Sequence, residues 1–553
     1  MKRNIKYNIV AGWALALVAM FASYGCTDKW NDHYDANPSA ITDKTLWDVI
    51  SSNTSLTQFT EILKLTGYDK ILSASRVYTV WAPANGTFNA DSIKALIAAG
   101  TTQKENVILE FVENHIADYS YSATGIMDKK VEMLNKKIIE FTSANATEFG
   151  FQNVTLSTRN IPASNGLLHI LAHSTAYSTN LWEYLAKSSD LDSIKSFLYS
   201  YDVIKFDENA SVQGPIVNGA ITYLDSVVTN TNTWFSRIGR LNDEDSSYVF
   251  FAPTNEVWAE VLAKTKSYYQ YAPSKTASVQ HVRDSLSNYY SKYAIIKNLV
   301  FSKTVNNFSA DSIISTTHTK FGLKGNSAPK QALYNNCTGP YTLSNGDLYI
   351  AHSFNYRSII NWHDTIKVEA ENATGRTFAS CTLDSRRVTT STKQDTIKGT
   401  VSANQFVECT PLTSTGSPSV TFTIPKVLSA AYRIKVVFVP ANITSKNMLP
   451  SLLQKGKVRF QLKNTDAKGS LVTGINLSGQ VVSPYQLDTV LVRSIDAVTK
   501  DTLDTYTFPT CEYGFETADV TTTLTVITDV KRTEKDFDRI LRIDCIILEP
   551  VEK

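Results

Sequence analysis

The sequence has little net charge, few cysteines and no recognisable catalytic motif. Its 54 Lys and Arg nearly balance its 52 Asp and Glu, which argues against electrostatic binding of nucleic acid. It contains no HExxH, no GxSxG and no glycine-rich phosphate loop, and its eight histidines are scattered. We therefore predict that the protein is not an enzyme and has no catalytic residue. Because glycosidase carboxylates meet only in the folded chain, a cryptic glycoside-active enzyme stays a weaker alternative.

The six cysteines are widely spaced and include no CxxC pair. This spacing predicts neither a zinc site nor a dense disulfide framework. Five of them follow Cys26, so they cannot all pair with one another. One or two disulfide bridges in the C-terminal third remain an alternative.

The N-terminus has the pattern of an export signal. A basic stretch precedes an apolar run at 9–22 that is too short for a membrane span. Cys26 follows the run and resembles the acylated cysteine of bacterial lipoproteins. We predict a signal peptide at 1–25, a tether at 26–44 and a lipid-anchored place on the bacterial outer membrane, at the cell surface. Such signals usually carry Leu where Ser23 stands, so ordinary secretion is the alternative.

Three segments recur in the same order along the chain. LWDVISSNTSLTQFTEIL from Leu46 is matched by LWEYLAKSSDLDSIKSFL from Leu181, and each has apolar residues at helical spacing. YTVWAPANGTF from Tyr78 is matched by YVFFAPTNEVW from Tyr248, and later NGLLHI by NGDLYI. The offset grows from 135 residues at the helix to 170 at the strand, which predicts an insertion near 199–237 of the second copy. We infer a tandem duplication of one globular unit.

The repeated motifs suit packing and turns better than chemistry. Residues before Ala-Pro-x-Asn alternate with both faces apolar, as in a covered strand, and proline ends the strand. We expect the asparagine to turn the chain by bonding its own backbone downstream. Thr45 with Asp48, and Asn180 with Glu183, are expected to cap the first helix of each copy. The motif residues are Ala82, Pro83, Asn85, Asn165 and Gly166 in the first copy, and Ala252, Pro253, Asn255, Asn345 and Gly346 in the second.

These segments resemble the two signature motifs of fasciclin-like domains. The resemblance covers two copies, which we place at 45–179 and 180–362. It implies a compact α/β fold, a β-sandwich-like wedge with helices packed against it, and an extracellular adhesion or matrix role without catalysis. Family members commonly carry a Tyr-His pair between the motifs, and here His115 supplies the histidine while Asn114 replaces the tyrosine. His115 is the adhesion candidate, and a half-buried structural side chain is the alternative.

Residues 363–553 predict an all-β domain. Short strand runs alternate with turns, which is typical of a β-sandwich. The opening IKVEAEN and closing RILRIDCIILEPV resemble the first and last strands of jelly-roll carbohydrate-binding modules. That resemblance implies a structural Ca²⁺ held by Glu369, Glu371 and Asp544, the alternative being a solvated face of an edge strand.

Aromatic platforms for a sugar would come from turn-rich stretches of this last domain. Tyr485, Tyr506 and Tyr513 are the candidates.

Together these patterns predict a multidomain chain, with two α/β fasciclin-like domains followed by an all-β jelly-roll sandwich. Its predicted function is adhesion or binding at the cell surface, to a polysaccharide, a matrix component or a neighbouring surface protein. We expect no nucleic-acid partner, and contact with the membrane only through the lipid. The alternative is an accessory glycan-binding scaffold of a polysaccharide-uptake system.

Overall fold

A computed structural model describes most of the chain from residue 42 onward. The described residues are 42–209, 211–217, 219–225, 227–322, 330–354, 357–388, 399–443, 453–466, 468, 470–495, 499–511 and 522–552. The predicted signal peptide, Cys26, most of the tether and Tyr513 lie outside them. None of the described helices combines the length and the apolar character that a membrane span requires.

The first unit, residues 46–171, packs helices on one side of a seven-stranded sheet. Its strand order is β2-β1-β7-β6-β5-β4-β3. Apart from short 3₁₀ and π turns, the helices are α1 (Leu46–Ser51), α2 (Thr57–Thr66), α3 (Tyr68–Leu72), α4 (Ala90–Ala99) and α5 (Thr101–Val107). The strands are β1 (Tyr78–Pro83), β2 (Ile116–Asp118), β3 (Met127–Glu132), β4 (Ile138–Ser143), β5 (Gly150–Phe151), β6 (Val154–Ala163) and β7 (Gly166–Leu171).

Strand β1 lies at the centre of unit 1 and is covered on both faces. Val80 and Ala82 pack against the helices, and Trp81 packs into a second cluster with Phe141 and Phe151. The two faces follow the alternation of the sequence, because successive side chains of a strand point to opposite sides.

The second unit, residues 181–351, repeats the centre of this arrangement with the strand order β13-β12-β17-β16. The helices are α6 (Leu181–Lys187), α7 (Asp192–Tyr199), α8 (Phe235–Ile238), α9 (Asn255–Lys266), α10 (Ala277–Ile296) and α11 (Lys330–Tyr334). The strands are β8 (Asp202–Phe206), β9 (Val212–Val217), β10 (Ala220–Asp225), β11 (Val228–Asn232), β12 (Tyr248–Pro253), β13 (Val300–Ser302), β14 (Ser312–Ile314), β15 (Lys320–Gly322), β16 (Cys337–Leu343) and β17 (Gly346–Ala351).

The two units share one strand register. Tyr78 pairs with Gly166 in the parallel ladder of β1 and β7, and Tyr248 pairs with Gly346 in that of β12 and β17. Trp81 stacks on His169 with ring centroids 5.6 Å apart, and the equivalent Phe251 stacks on Tyr349 at 5.0 Å. Equivalent residues therefore occupy equivalent surroundings, as duplication requires.

The extra length of the second unit forms a separate β-arm at 202–232. Strand β8 pairs with β11 and β9 pairs with β10, so the arm contains two antiparallel two-stranded sheets. It lies within the predicted insertion at 199–237 and leaves the core of the unit intact.

The first helix of each unit begins at its predicted cap. Thr45 and Asp48 form a reciprocal capping box at α1, and Asn180 and Glu183 form one at α6. Each box satisfies two backbone N–H groups that a helix start leaves unbonded.

The C-terminal sandwich, residues 366–551, is built on two packed, mainly antiparallel sheets. One has the order β20-β21-β32-β23-β26, with β18 and β29 added. The other has β19-β22-β30-β24-β25, with β31 added in parallel to β24, and β27 and β28 form a separate pair. A last helix of unit 2, α12 (Ser358–Asn361), precedes it. The strands are β18 (Ile366–Glu369), β19 (Arg376–Ala379), β20 (Cys381–Arg387), β21 (Gln405–Pro411), β22 (Ser419–Thr423), β23 (Ala431–Phe438), β24 (Lys455–Thr465), β25 (Leu471–Val482), β26 (Asp488–Leu491), β27 (Ser494–Ile495), β28 (Thr502–Leu503), β29 (Tyr506–Thr507), β30 (Thr523–Thr528), β31 (Phe537–Asp538) and β32 (Leu541–Val551).

The opening strand of the sandwich pairs with its closing strand. Ile366 of β18 lies opposite Leu548 of β32, and Glu369 lies opposite Cys545. The predicted fold class, α/β units followed by an all-β sandwich, is confirmed. The five described cysteines carry free thiols.

Units 1 and 2 meet at a buried ammonium group. Lys137 is 4% exposed, and its Nζ lies 2.8 Å from Glu183 Oε2 and 2.7 Å from Glu244 Oε1. The same ammonium lies 5.2 Å from the ring centroid of Tyr177. One cation from unit 1 thus pairs with two carboxylates of unit 2.

Unit 2 and the sandwich share one continuous hydrophobic core. Tyr268 of unit 2 lies 5.4 Å from His363, and His363 lies 4.7 Å from Tyr432 on β23, each measured between ring centroids. Backbone hydrogen bonds also cross the junction, from Ser429 N–H to the Tyr268 carbonyl at 2.7 Å and from Thr510 N–H to the Gln270 carbonyl at 2.8 Å. The junction is therefore built like a domain interior.

Candidate functional site

The Ala-Pro-x-Asn corner joins the central strand of each unit to an earlier helix. Asn85 Oδ1 accepts a hydrogen bond from Gln58 N–H at 3.0 Å, and Asn255 Oδ1 accepts one from Ser193 N–H at 2.8 Å. In each unit the side-chain Nδ2 donates to a carbonyl just before that helix. The prediction that this asparagine bonds its own backbone downstream is wrong. Its amide instead caps the neighbouring helix, whose first N–H groups have no partner within the helix.

The asparagine of the first Asn-Gly pair is a buried connector. Asn165 is 4% exposed, and its Oδ1 accepts a hydrogen bond from Leu46 N–H at 2.7 Å. Its Nδ2 donates to the carbonyls of Leu72 at 2.9 Å and Ala74 at 2.7 Å. One side chain thus ties the start of α1, the end of α3 and the start of β7.

The second unit repeats this connector. Asn345 Oδ1 accepts from Leu181 N–H at 2.9 Å. Its Nδ2 donates to the carbonyls of Leu241 at 2.8 Å and Asp243 at 3.1 Å. The second asparagine therefore holds the same kind of helix start as the first.

The glycine that follows allows two backbones to approach closely. A Cβ on Gly166 would lie 1.9 Å from the Tyr78 carbonyl oxygen, and one on Gly346 would lie 2.0 Å from that of Tyr248. Both glycines also have positive φ, 148° and 154°. The motif residues thus connect elements within each unit and present no reactive group.

His115 is buried, with both ring nitrogens engaged. Its exposed fraction is 0%. Nδ1 donates to the Phe111 carbonyl at 2.6 Å, and Nε2 accepts from Thr175 N–H at 3.1 Å. Burial lowers the pKa of His115 to about 4, so the ring is neutral at neutral pH. The alternative, a structural side chain with its hydrogen bonds satisfied, describes His115, although its burial is complete and not half. A buried ring offers no surface to an adhesion partner.

A polar cluster lies where the first and last strands of the sandwich pair. The ligand atoms of Glu369, Asp544 and Cys545 all lie within 4.8 Å of one another. Ser402 N–H donates to both Asp544 oxygens, at 3.0 and 3.2 Å, and its hydroxyl donates to Glu369 Oε1 at 2.6 Å. Lys367 Nζ lies 2.9 Å from Glu369 Oε1. Glu371 is not one of this close group, contrary to the predicted three-carboxylate set.

The electrostatics of the cluster are those of crowded carboxylates. Burial raises the pKa of Asp544 to about 6, and the negative charges of Glu369 and Glu371 act in the same direction. The hydrogen bond from Ser402 N–H acts in the opposite direction and lowers it. Burial, with the charge of Glu369, also raises the pKa of Glu371. Among the described residues, Glu369 Oε2 and Glu371 Oε2 are buried oxygens without a hydrogen-bond donor.

The donor set fits a hard cation. Carboxylate and hydroxyl oxygens are the ligands that Ca²⁺ prefers. Cys545 does not suit such an ion, because burial and Asp544 raise the pKa of its thiol to about 12 and sulfur is a soft ligand. The ammonium of Lys367 balances part of the negative charge of Glu369, Glu371 and Asp544.

Sequence reasoning missed Ser402 and Lys367 as members of this cluster. Lys367 stands two residues before Glu369, and their alternate positions on β18 were the available signal. Ser402 had no signal, because it is distant in sequence from both carboxylates and meets them only through the fold.

Two of the three predicted aromatic platforms lie among the described residues. Tyr485 is 46% exposed, whereas the Tyr506 hydroxyl lies 3.2 Å from each of the backbone carbonyls of Val492 and Leu503. Tyr513 lies outside the described residues.

Parts of the chain are similar to solved structures at low identity. A FAS1 domain pair from the insect cell adhesion molecule Fasciclin I is 12% identical, with 55% of this chain and 97% of that chain covered and a TM-score of 0.20. The CBM22-1 xylan-binding domain from Paenibacillus barcinonensis Xyn10C is 10% identical, with 34% and 94% covered and a TM-score of 0.20. A family 35 carbohydrate binding module from Clostridium thermocellum is 7% identical, with 34% and 99% covered and a TM-score of 0.17.

No curated protein matches the chain. A protein-family model does match part of it, across most of unit 1 and both of its signature motifs. Residues 54–173 match the fasciclin domain.

Proposed function

We propose that this protein is a lipid-anchored binding protein at the surface of a bacterial outer membrane, which acts by adhesion and without catalysis. The observation that carries the proposal is the use of the repeated asparagines and glycines as internal connectors. Asn85, Asn165 and Gly166 and their counterparts hold strands and helices together. Units built in this way are rigid scaffolds that present surfaces to a partner.

We also propose that unit 2 is a second fasciclin-like domain. The match of residues 54–173 to the fasciclin domain covers only unit 1. The shared register of Tyr78 with Gly166 and of Tyr248 with Gly346 supports the extension.

The sandwich is the proposed glycan-binding domain, with a structural Ca²⁺ held by Glu369 and Asp544. The buried carboxylate oxygens without donors support the ion. A bound Ca²⁺ would join the opening and closing strands, because Glu369 lies on β18 and Asp544 on β32.

A polysaccharide panel tests the function. The mature chain is run through native gels that contain neutral or acidic polysaccharides, and product release is followed in parallel. We expect retardation in at least one gel without released oligosaccharide. Release of oligosaccharide would overturn the non-catalytic proposal. If no gel retards the protein, pull-down against outer-membrane proteins decides between a protein partner and no adhesive role.

Calcium addition tests the ion separately. At a Ca²⁺ concentration 100 times its dissociation constant, the free energy of unfolding should rise by about 2.7 kcal/mol. The Asp544→Asn and Glu369→Gln variants should lose this gain. An equal gain with Asp43→Asn, which removes a carboxylate near the start of unit 1, is the expected control result.

A stand-alone adhesin and a scaffold of a polysaccharide-uptake system can be distinguished by their partners. A scaffold of a polysaccharide-uptake system should co-purify with outer-membrane transport proteins from cells grown on the polysaccharide. A stand-alone adhesin should not.

A further inference from the structure

A groove rich in tyrosine lies at the junction of unit 2 and the sandwich. It has a volume of about 510 Å³, within the range of about 300–1,000 Å³ that ligand sites occupy. Unit 2 contributes Tyr269, Tyr271, Tyr290, Tyr293 and Trp362 to its lining.

The two walls of the groove are held in fixed positions. Tyr271 forms a parallel β-bridge with Thr510 of the sandwich. The Thr510 hydroxyl donates to the Tyr268 carbonyl at 2.7 Å, and Ser429 N–H donates to Thr510 Oγ1 at 3.0 Å. A ligand would therefore meet a preformed site and lose less free energy to ordering.

Two of the tyrosines that line the groove are nearly parallel to each other. Tyr269 and Tyr290 are half-buried, and their rings stack at 6.0 Å between centroids with an interplanar angle of 18°. A tyrosine ring combines an apolar face with a polar tip, which complements a sugar ring with its C–H face and hydroxyl edge. Such surfaces suit a chain of sugars better than a purely apolar partner.

Trp362 adds a hydrogen-bond donor that the protein leaves unused. The residue is 5% exposed, and among the described residues its indole Nε1–H has no acceptor. A buried donor of this kind costs free energy unless a partner supplies an acceptor. Sugar hydroxyl and carboxylate oxygens are such acceptors.

The charge of the lining is positive. Lys297, Lys367 and Lys426 line the groove against a single carboxylate, Asp364. Lys297 pairs with Asp364 at 3.3 Å, and Lys367 pairs with Glu369 at 2.9 Å. The exposed Lys426 therefore supplies the remaining positive charge of the lining. In addition, the Lys264 ammonium lies 5.8 Å from the Trp362 ring centroid. An anionic ligand complements this surface.

We infer that this groove binds a segment of an acidic polysaccharide, with sugar rings on the Tyr269–Tyr290 face and uronate carboxylates near Lys426. The inference rests on the proposed glycan-binding function and moves its site from the sandwich alone to the junction with unit 2. Sequence reasoning missed it, although the segments SYYQYAP and NYYSKYA together carry six tyrosines.

Affinity electrophoresis of the full mature chain tests the groove, with polygalacturonate in one gel and a neutral β-glucan in the other. We expect retardation by polygalacturonate, and dissociation constants at least about fivefold higher for Tyr269→Ala and Tyr290→Ala. Lys426→Gln should weaken binding to polygalacturonate and reduce its dependence on salt. Tyr290→Phe should keep the ring and most of the binding.

Tyr119→Ala is the matched control, because it removes a tyrosine of unit 1 that is 64% exposed. Its retardation should equal that of the wild type, and circular dichroism should give the same fold for every variant. Equal retardation of the wild type and both alanine variants would overturn the groove and leave the proposed function standing. A wild type that neither gel retards would overturn the groove as a polysaccharide site, whereas the proposed adhesive function would then depend on the pull-down against outer-membrane proteins. Equal retardation by the neutral glucan would overturn the acidic class of ligand.

Discussion

Replacing Asn165 by alanine should destabilise unit 1 more than any surface substitution. The side chain makes three hydrogen bonds, to Leu46 N–H and to the carbonyls of Leu72 and Ala74. It is 4% exposed, so water cannot easily replace it. The substitution therefore leaves one donor and two acceptors in buried surroundings.

The expected cost follows from these three bonds. Each contributes about 1 kcal/mol net, and burial of the partners left behind raises the total to about 3–4 kcal/mol. A domain of this size has a total stability of about 5–15 kcal/mol. The midpoint of thermal unfolding of unit 1 should then fall by about 10 °C.

Thermal unfolding of the full chain, with hydrogen exchange of the β1 peptide, measures the effect. Asn53→Ala is the control, because Asn53 Oδ1 accepts from Ser55 N–H at 3.0 Å in an exposed turn. Its cost should be at most about 1 kcal/mol. Asn345→Ala should repeat the large effect in unit 2. A shift for Asn165→Ala no larger than that of the control would refute the connector role.

Three other perturbations test further parts of the structure. Lys137→Met removes the buried ammonium between Glu183 and Glu244. It should lower the free energy of unfolding by about 3–5 kcal/mol and speed proteolysis between the units. Unchanged proteolysis would contradict this. The pKa of His115 is lowered to about 4 in the folded chain, so the unfolded state binds a proton first as the pH falls. The free energy of unfolding should therefore fall as pH drops from about 6.5 to 4. His115→Gln should reduce this pH dependence in denaturant titrations, and an unaltered dependence would assign it to another group. Among the described cysteines, Cys337 is half-buried and the other four are buried. A thiol reagent should therefore modify Cys337 first, which mass spectrometry of labelled peptides can check. An earlier reaction at one of the buried thiols would contradict this and show local opening.

The central strands could be predicted because their pattern is local. Alternation from Tyr78 to Ala82 and the proline that follows specify a covered strand and its end. The capping boxes at Thr45 and Asn180 were equally readable, since a cap depends on residues three apart.

The partners of the motif asparagines could not be predicted, because they are distant in sequence. Asn85 bonds Gln58, and Asn165 bonds Leu46. A residue type that favours turns gives no information about which helix end will lie beside it. The same reason hid the groove, whose walls come from unit 2 and from the sandwich.

The pairing of β18 with β32 has a consequence for the order of folding. The strand that opens the sandwich, at 366–369, has its ladder partner at 541–551, and β32 also lies between β21 and β23. Unit 1 can complete its core from its own residues, but the sheet of the sandwich cannot close until β32 is present. A chain cut before residue 541 would therefore expose the open edges of β18, β21 and β23, which are sites for aggregation.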